Sequence, residues 1–358
     1  MKNLFDPVVI GGLSLRNRFI RSATMEAPFG QDEHFARNLL KFYEPLASND
    51  VGAIITGMIG VDENSRVLSS MVKGYGATFI PQMGVITERV HALKGKIVVQ
   101  LSHCGLKANL FESGGSPLGP SDTVAASGKP VKGMTHAEIQ AVVASFASVA
   151  TRCKEAGADA VQIHGAHGYL LSQFLCPYYN KRTDEYGGDI MGRSRIVLEV
   201  YDAIRAAVGK SFPVWIKINC TDLHEQSINA DEFLWIGREL DKLGIDAIEV
   251  SGGANIDANS SSVIKNIKAE GYFAQQALQL AENVSASVIT VCGFRTLTGA
   301  TEWLNKGKIE GISLCRPLIS EPDLIHRWKN GDTKKARCIS CNKCFAPPEA
   351  GGIMCRVF

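Results

Sequence analysis

The sequence carries almost no surplus charge, no long apolar run and no dinucleotide fingerprint, and each lack removes a class of function. Lys and Arg number 38 against 36 Asp and Glu, a formal net charge of +2 in 358 residues. That balance supplies no electrostatic drive toward nucleic acid or an anionic membrane, so neither is expected as a partner. The opening stretch MKNLFDPVVIGGLSLRNRF lacks the continuous apolar core of a signal peptide. No later segment approaches the roughly 20 apolar residues of a membrane span, so a cytoplasmic protein is the expectation. No G-x-G-x-x-G occurs. GYGATF, starting at Gly74, has the first two glycines but ends in Phe79 and follows no strand candidate, so a dinucleotide-binding doubly wound sheet has little support. Ten cysteines would suggest disulfides in a small secreted domain, and this chain is neither small nor visibly secreted. Cys104, Cys153, Cys176, Cys220, Cys292 and Cys315 are scattered and read as packing thiols. Cys338, Cys341, Cys344 and Cys355 form a separate cluster near the C-terminus.

What is present is a regular alternation. RFIRSATM, VGAIITGMIG, KIVVQLSH, DAVQIH, PVWIKIN, DAIEVSG, SVITVCG and EGISLCR are short, β-branched and without strict polar alternation. Parallel strands covered on both faces look like this. Helical periods separate them, as in NADEFLWIGRELDKLG, which Asn229 would cap at the start and Gly244 at the end. Eight strand–helix units predict a (β/α)8 TIM barrel over residues 1–336, with a Cys-rich extension at 337–358. DPVVIGGLSLRN reads as a small N-terminal hairpin closing the barrel bottom. The stretch from Gly105 to Met134 is a long excursion on the side where barrel loops shape active sites.

Strand C-termini converge on one mouth, which places Ala23, Thr24, Met25, Gly57, Gln100, His164, His167, Lys217, Gly252, Gly253, Gly293, Cys315 and Arg316 together. The set is short of carboxylates, which weakens a metal-hydrolase reading. H-x-x-H at His164 and His167 without a clear third ligand is a weak zinc pattern; loop bracing is the blander alternative. Glycines and Arg316 after the last strands suit a phosphate, because glycine lets backbone N–H groups approach and arginine supplies a fork of donors. Lys217 could equally pair with a carboxylate, and Gln100 could make a structural bond. Together these residues predict a phosphorylated heterocyclic cofactor lying across the mouth.

NRFIRSATMEA, VVQLSHCGLKA, IHGAHGYLLSQFLCPYYNKRTDEYGGD and CRPLISEPDL resemble the old yellow enzyme family of flavin-dependent ene-reductases over most of the chain. The resemblance implies FMN, with its phosphate near Gly293 and Arg316 and the Gly252–Gly253 turn. It implies Ala23, Thr24, Met25 and Gly57 along the isoalloxazine, Gln100 at its pyrimidine edge and Lys217 near N1. It further implies that His164 and His167 hold the carbonyl oxygen of an enone-type substrate, that Tyr169 protonates the α-carbon, and that NAD(P)H reduces the flavin. Asp184, Arg182 and Tyr186 read as loop braces, His103 as a flavin-side support and Lys107 as a solvated cation. Met25 stands where relatives often carry Cys or Thr, Ala27 where some carry tyrosine, and Lys217 where many carry arginine. A demethylase, an amine dehydrogenase or an electron-transfer subunit of the same fold is the alternative function.

The tail reads C-x2-C-x2-C-x10-C, a spacing that favours an iron–sulfur cluster over zinc. It is similar to that of the dienoyl-CoA reductases and trimethylamine dehydrogenase, where a 4Fe–4S cluster sits beside the barrel. Only three residues follow Cys355, so the expectation is that the added domains of those relatives are absent. A cluster fed by an external electron donor, a zinc knot and a vestigial tail are the three readings, with the cluster favoured. Cofactor preference between NADH and NADPH, the physiological substrate and any homo-oligomer stay open.

Overall fold

The computed structural model describes residues 1–26, 34–109, 116–125, 128–254, 256, 269–344 and 353–358; Ala27 lies outside them. A hairpin of β1 (Val8–Ile10) and β2 (Leu13–Leu15) precedes β3 (Phe19–Arg21), the first barrel strand. The others are β4 (Ala53–Gly60), β5 (Ile97–Ser102), β9 (Ala160–Gly165), β10 (Val214–Asn219), β11 (Ala247–Ser251), β12 (Ser287–Thr290) and β13 (Ile309–Leu314). They close on themselves in chain order, every pairing parallel, with β13 against β3. This is the (β/α)8 barrel that the alternation predicted: six of its strands fall within the apolar runs, while β9 runs one residue past its run, to Gly165, and β13 starts one residue before its run, at Ile309. The post-β5 excursion forms a small sheet of β6 (Leu118–Gly119), β7 (Thr123–Val124) and β8 (Pro130–Gly133).

Helices cover the outside: α1 (Phe35–Ser48), α2 (Phe79–Ala92), α3 (His136–Glu155), α4 (Leu170–Leu175), α5 (Ile190–Val208), α6 (Ala230–Leu243), α7 (Ala274–Ala281), α8 (Leu297–Asn305), α9 (Arg316–Ser320) and α10 (Leu324–Lys329). Local chemistry sets their ends. Asn229 accepts from the Glu232 amide while the Glu232 side chain returns the bond, and Gly244 closes α6 in the left-handed region. Among the described residues no helix is long and apolar enough to cross a membrane.

The hairpin plugs the barrel floor. Gly11 and Gly12 have φ of 51° and 80°, the double positive φ of a two-residue turn whose twist matches its strands. Gly11 O accepts a 2.9 Å bond from buried Trp215 Nε1. Ile10, Leu13 and Leu15 pack with Ile20, Val98, Ala160, Trp215 and Ala247 into one buried cluster. Alternation along a strand returns each second residue to the same face. One step above this apolar floor therefore come Ser22, Gln100, Gln162, Lys217 and Glu249. One step further, at the mouth, come Thr24, Ser102, His164, Asn219 and Ser251.

Candidate active site

The middle layer is polar, buried and joined from strand to strand. Lys217 Nζ, 2 % exposed, lies 3.2 Å from an oxygen of Glu249, which is fully buried. Lys217 also donates to Ser22 Oγ at 2.9 Å, and Ser22 donates to the other Glu249 oxygen at 2.8 Å. Gln162 Nε2 donates to Glu249 at 2.8 Å, and Gln100 Nε2 donates to Gln162 Oε1 at 2.8 Å. At the end of this chain Gln100 Oε1 is buried with no partner. Lys217 thus takes the carboxylate partner that its type allowed, and that partner, Glu249, was missed. Its signal was a charged residue between the apolar Ile248 and Val250 inside a strand candidate.

His164 is the penultimate residue of β9, in register with Lys217 on β10. Its ring lies 5.3 Å from that of His167 and 5.0 Å from that of Tyr169, so the three predicted side chains meet. His164 Nδ1 is buried without a partner. Burial, then the His167 ring and the Lys217 and Lys107 cations, push the His164 pKa well below its ordinary value. Burial and the same two cations bring His167 down to about 3. Both rings are therefore neutral near pH 7.

His167 is fixed from three sides. Its amide donates to Asn219 Oδ1 at 3.2 Å, its carbonyl accepts from Lys107 Nζ at 2.9 Å, and Nε2 shares a 2.7 Å bond with Ser251 Oγ. These bonds hold it at φ 61°, a left-handed conformation that persists only where surroundings over-determine it. Lys107 is thus a staple rather than the solvated cation expected. Its ammonium also reaches Ala254 O at 2.8 Å and lies 5.3 Å from the Tyr169 ring centroid, and burial lowers its pKa to about 8.

Tyr169 immediately precedes α4 as its N-cap residue, and burial, with Cys104 nearby, raises its hydroxyl pKa. It and Met25 pack beside Met58, Met71, Cys104 and Ala108, an apolar wall at the mouth. The following loop is braced as its composition suggested. Arg182 donates to Pro120 O at 2.8 Å and Met134 O at 2.6 Å and is clamped by Asp184, while Tyr186 donates to Glu199 at 2.9 Å. His103 is buried, accepting at Nδ1 from the Gly105 amide at 3.0 Å.

The glycines differ in what they do. Gly293 has φ 82° and would press a Cβ to 2.7 Å from Ala269 O. A Cβ on Gly252 would meet the Phe273 ring at 2.5 Å. Gly253 commits its amide to Thr221 O at 2.7 Å. A Cβ on Gly57 would stand 2.1 Å from a Glu26 oxygen, so this glycine makes room for the buried Arg21–Glu26 ion pair at 2.5 Å, to which Tyr43 adds a 3.0 Å bond. Of these three only Arg21 lies inside a strand, and the sequence reading passed over all of them. Ala23 is part-exposed beside Thr24, whose hydroxyl lies 3.2 Å from Cys315 Sγ.

Arg316 donates to Asn342 Oδ1 of the tail at 2.6 Å. Cys338, Cys341, Cys344 and Cys355 line one cavity together with Arg316 and Asn342. Among the described residues no three His, Cys, Asp or Glu side chains are gathered closely enough to hold a metal ion. Ser340 and Asn342, between the cysteines, have φ of 58° and 61°.

Residues 3–335 match the model of the NADH:flavin oxidoreductase / NADH oxidase family, which ends before the first tail cysteine. A metal reductase of Desulforamulus reducens is 33% identical over 351 residues, 96% of this chain and 51% of that protein. An NADPH dehydrogenase of a Geobacillus species is 29% identical over 321 residues, covering 89% of this chain and 91% of that protein. A 2-naphthoyl-CoA reductase structure superposes with a TM-score of 0.85 at 21% identity, over 93% of this chain and 53% of that one. The chain thus spans about half the length of the metal reductase and of the naphthoyl-CoA reductase. A parallel barrel with a polar mouth and a family match from residue 3 to residue 335 lead to one assignment: the chain belongs to the NADH:flavin oxidoreductase / NADH oxidase family, the old yellow enzyme family that its sequence resembles.

Proposed function

We propose that this chain binds FMN across the barrel mouth, takes reducing equivalents from NAD(P)H and reduces the C=C bond of an α,β-unsaturated carbonyl compound. The observation that carries the reading is a pair of neutral histidines at the end of β9, one held on three sides and the other with a buried, unpartnered Nδ1. The cofactor fits the layer beneath them, because the orphaned Gln100 Oε1 is an acceptor that the N–H of a pyrimidine ring would satisfy. Lys217 would face the same edge, Ala23, Thr24, Met25 and Gly57 would flank the ring system, and Arg316 with Gly252, Gly253 and Gly293 would border the phosphate.

When bound, FMN supplies a hydride to the substrate β-carbon after taking one from NAD(P)H. The chain's residues prepare the substrate for it. A neutral imidazole donates an N–H without bringing charge, so His164 and His167 can hold the carbonyl oxygen and stabilise negative charge developing there. For His167 this needs Ser251 to donate to Nε2, leaving the proton on Nδ1. Tyr169, its pKa raised by burial, keeps its proton at neutral pH and delivers it to the α-carbon. The apolar wall around Met25, Met58 and Met71 keeps water from competing.

The tail cysteines Cys338, Cys341, Cys344 and Cys355 are proposed as ligands of a 4Fe–4S cluster exchanging electrons with an external donor. Their shared cavity and the left-handed Ser340 and Asn342 support this, since such turns build backbone nests that receive anionic clusters.

Replacing His164 or His167 with Ala tests the clamp. Each change should weaken binding of phenolate ligands and slow enone reduction by roughly 10²–10³-fold, the loss expected for one oxyanion donor, with reduction by NAD(P)H less affected. Tyr169→Phe should keep phenolate binding and lose enone turnover. Native rates in all three variants would make the histidines loop braces and refute the mechanism.

A further inference from the structure

Glu249 has no place in the reaction as derived so far, yet it is the fully buried hub of the polar layer. Its two oxygens receive Ser22, Gln162 and the Lys217 ammonium, all within 3.2 Å. A carboxylate accepts and cannot donate. That restriction runs outward through two amides. Gln162 must turn its nitrogen toward Glu249, which leaves its oxygen to accept from Gln100 Nε2. Gln100 must then present Oε1, the atom left without a partner. The charge of Glu249 also opposes that of Lys217 at 3.2 Å, so the layer carries a neutral pair rather than a free cation.

We infer that Glu249 is a positioning residue that sets both the redox poise of the flavin and the acceptor polarity of its binding edge. This rests on the FMN reading above and goes beyond it. An unopposed lysine would favour the reduced flavin, which gains negative charge, more than the native pair does. Glu249 therefore holds the reduction potential down. It also keeps an acceptor, not a donor, at the Gln100 end. In Glu249→Gln the new amide can donate, the two glutamines can reverse, and Gln100 can then present its N–H₂ to a ring N–H.

The experiment measures FMN stoichiometry, FMN dissociation constant and midpoint potential in the native chain, Glu249→Gln, Lys217→Met and the double variant. In Glu249→Gln the reduction equilibrium should shift at least tenfold toward reduced flavin, about +30 mV for a two-electron couple, and oxidised FMN should bind more weakly. Lys217→Met should shift the potential downward, and the double variant, neutral at both positions, should return toward the native value. If Glu249→Gln does not fold, Lys217→Met must still lie below the double variant. An unchanged or lowered potential in folded Glu249→Gln, or equal potentials in the last two variants, overturns the inference while leaving FMN binding intact. A native chain that takes up no FMN after reconstitution overturns the FMN reading, and this inference with it.

Discussion

Two imidazoles stripped of water and set among cations must stay neutral, and the fold bears the consequence at acid pH. His167 has a folded pKa of about 3 against an ordinary 6.5, and His164 is shifted the same way. A depressed histidine pKa means that the unfolded chain binds more protons at every pH between those values. Their contribution to stability is therefore complete above pH 6.5 and is lost as pH falls toward 3. Thermal denaturation should show the melting temperature dropping below pH 6.5, with a shallower drop in His164→Asn. A parallel drop in the two proteins would locate the acid sensitivity elsewhere. Lys107→Met should loosen His167 by removing the bond to its carbonyl; enone KM should rise severalfold while flavin reduction by NADH stays near native. Equal losses in both half-reactions would reduce Lys107 to a general fold support. Residues at or just below the strand ends, such as His164 and Lys217, were legible in position because barrel strands deliver their C-termini to one place. Lys107 was not, since a loop lysine looks solvated until the loop is folded. Glu249 lies in the same layer as Lys217, and sequence does not show that the two charges meet across adjacent strands.

At the scale of elements, the β1–β2 hairpin shows how much a short segment can decide. It seals the barrel with three apolar side chains and one bond from Trp215. Gly11→Ala would place a Cβ 2.4 Å from Trp215 Nε1 at a φ of 51°. The left-handed backbone costs about 1–2 kcal/mol and overpacking about a further 1–3 kcal/mol. A lowered melting temperature with FMN retention largely kept is the expected outcome. A variant as stable as the native chain would mean the hairpin is peripheral to the core. All eight barrel strands were legible because two-sided burial leaves each a short, β-branched, mostly apolar run. The small sheet of β6, β7 and β8 was not, since two- to four-residue strands in a Gly- and Pro-rich stretch leave no periodicity. Gly252 after β11 and Gly57 within β4 were both singled out, yet Gly252 answers Phe273 and Gly57 answers Glu26. Sequence shows that a side chain is missing but not what fills its space.

For the molecule as a whole, barrel and tail are tied through their charged residues. Arg316 reaches Asn342, and Arg337 donates its amide to Glu321 at 3.0 Å. Iron and acid-labile sulfide in anaerobic preparations should approach the four per chain of a Cys-ligated cubane, about four irons; stoichiometric zinc without iron would contradict the cluster. The barrel leaves its outer helices to stability and its C-terminal face to chemistry, which is why the polar layer, the histidine pair and the apolar wall all occur at one end. The account stands or falls on whether that end holds a flavin that moves hydride from a nicotinamide to an enone. The direct measurement is the visible spectrum of the purified, FMN-reconstituted chain under anaerobic conditions, followed through successive additions of NADH or NADPH and then cyclohexenone. The account predicts an oxidised flavin band that bleaches with the nicotinamide and returns on adding the enone, with stoichiometric cyclohexanone. A chain that retains no flavin, or a bleached flavin that cyclohexenone and other activated alkenes leave reduced, would contradict it.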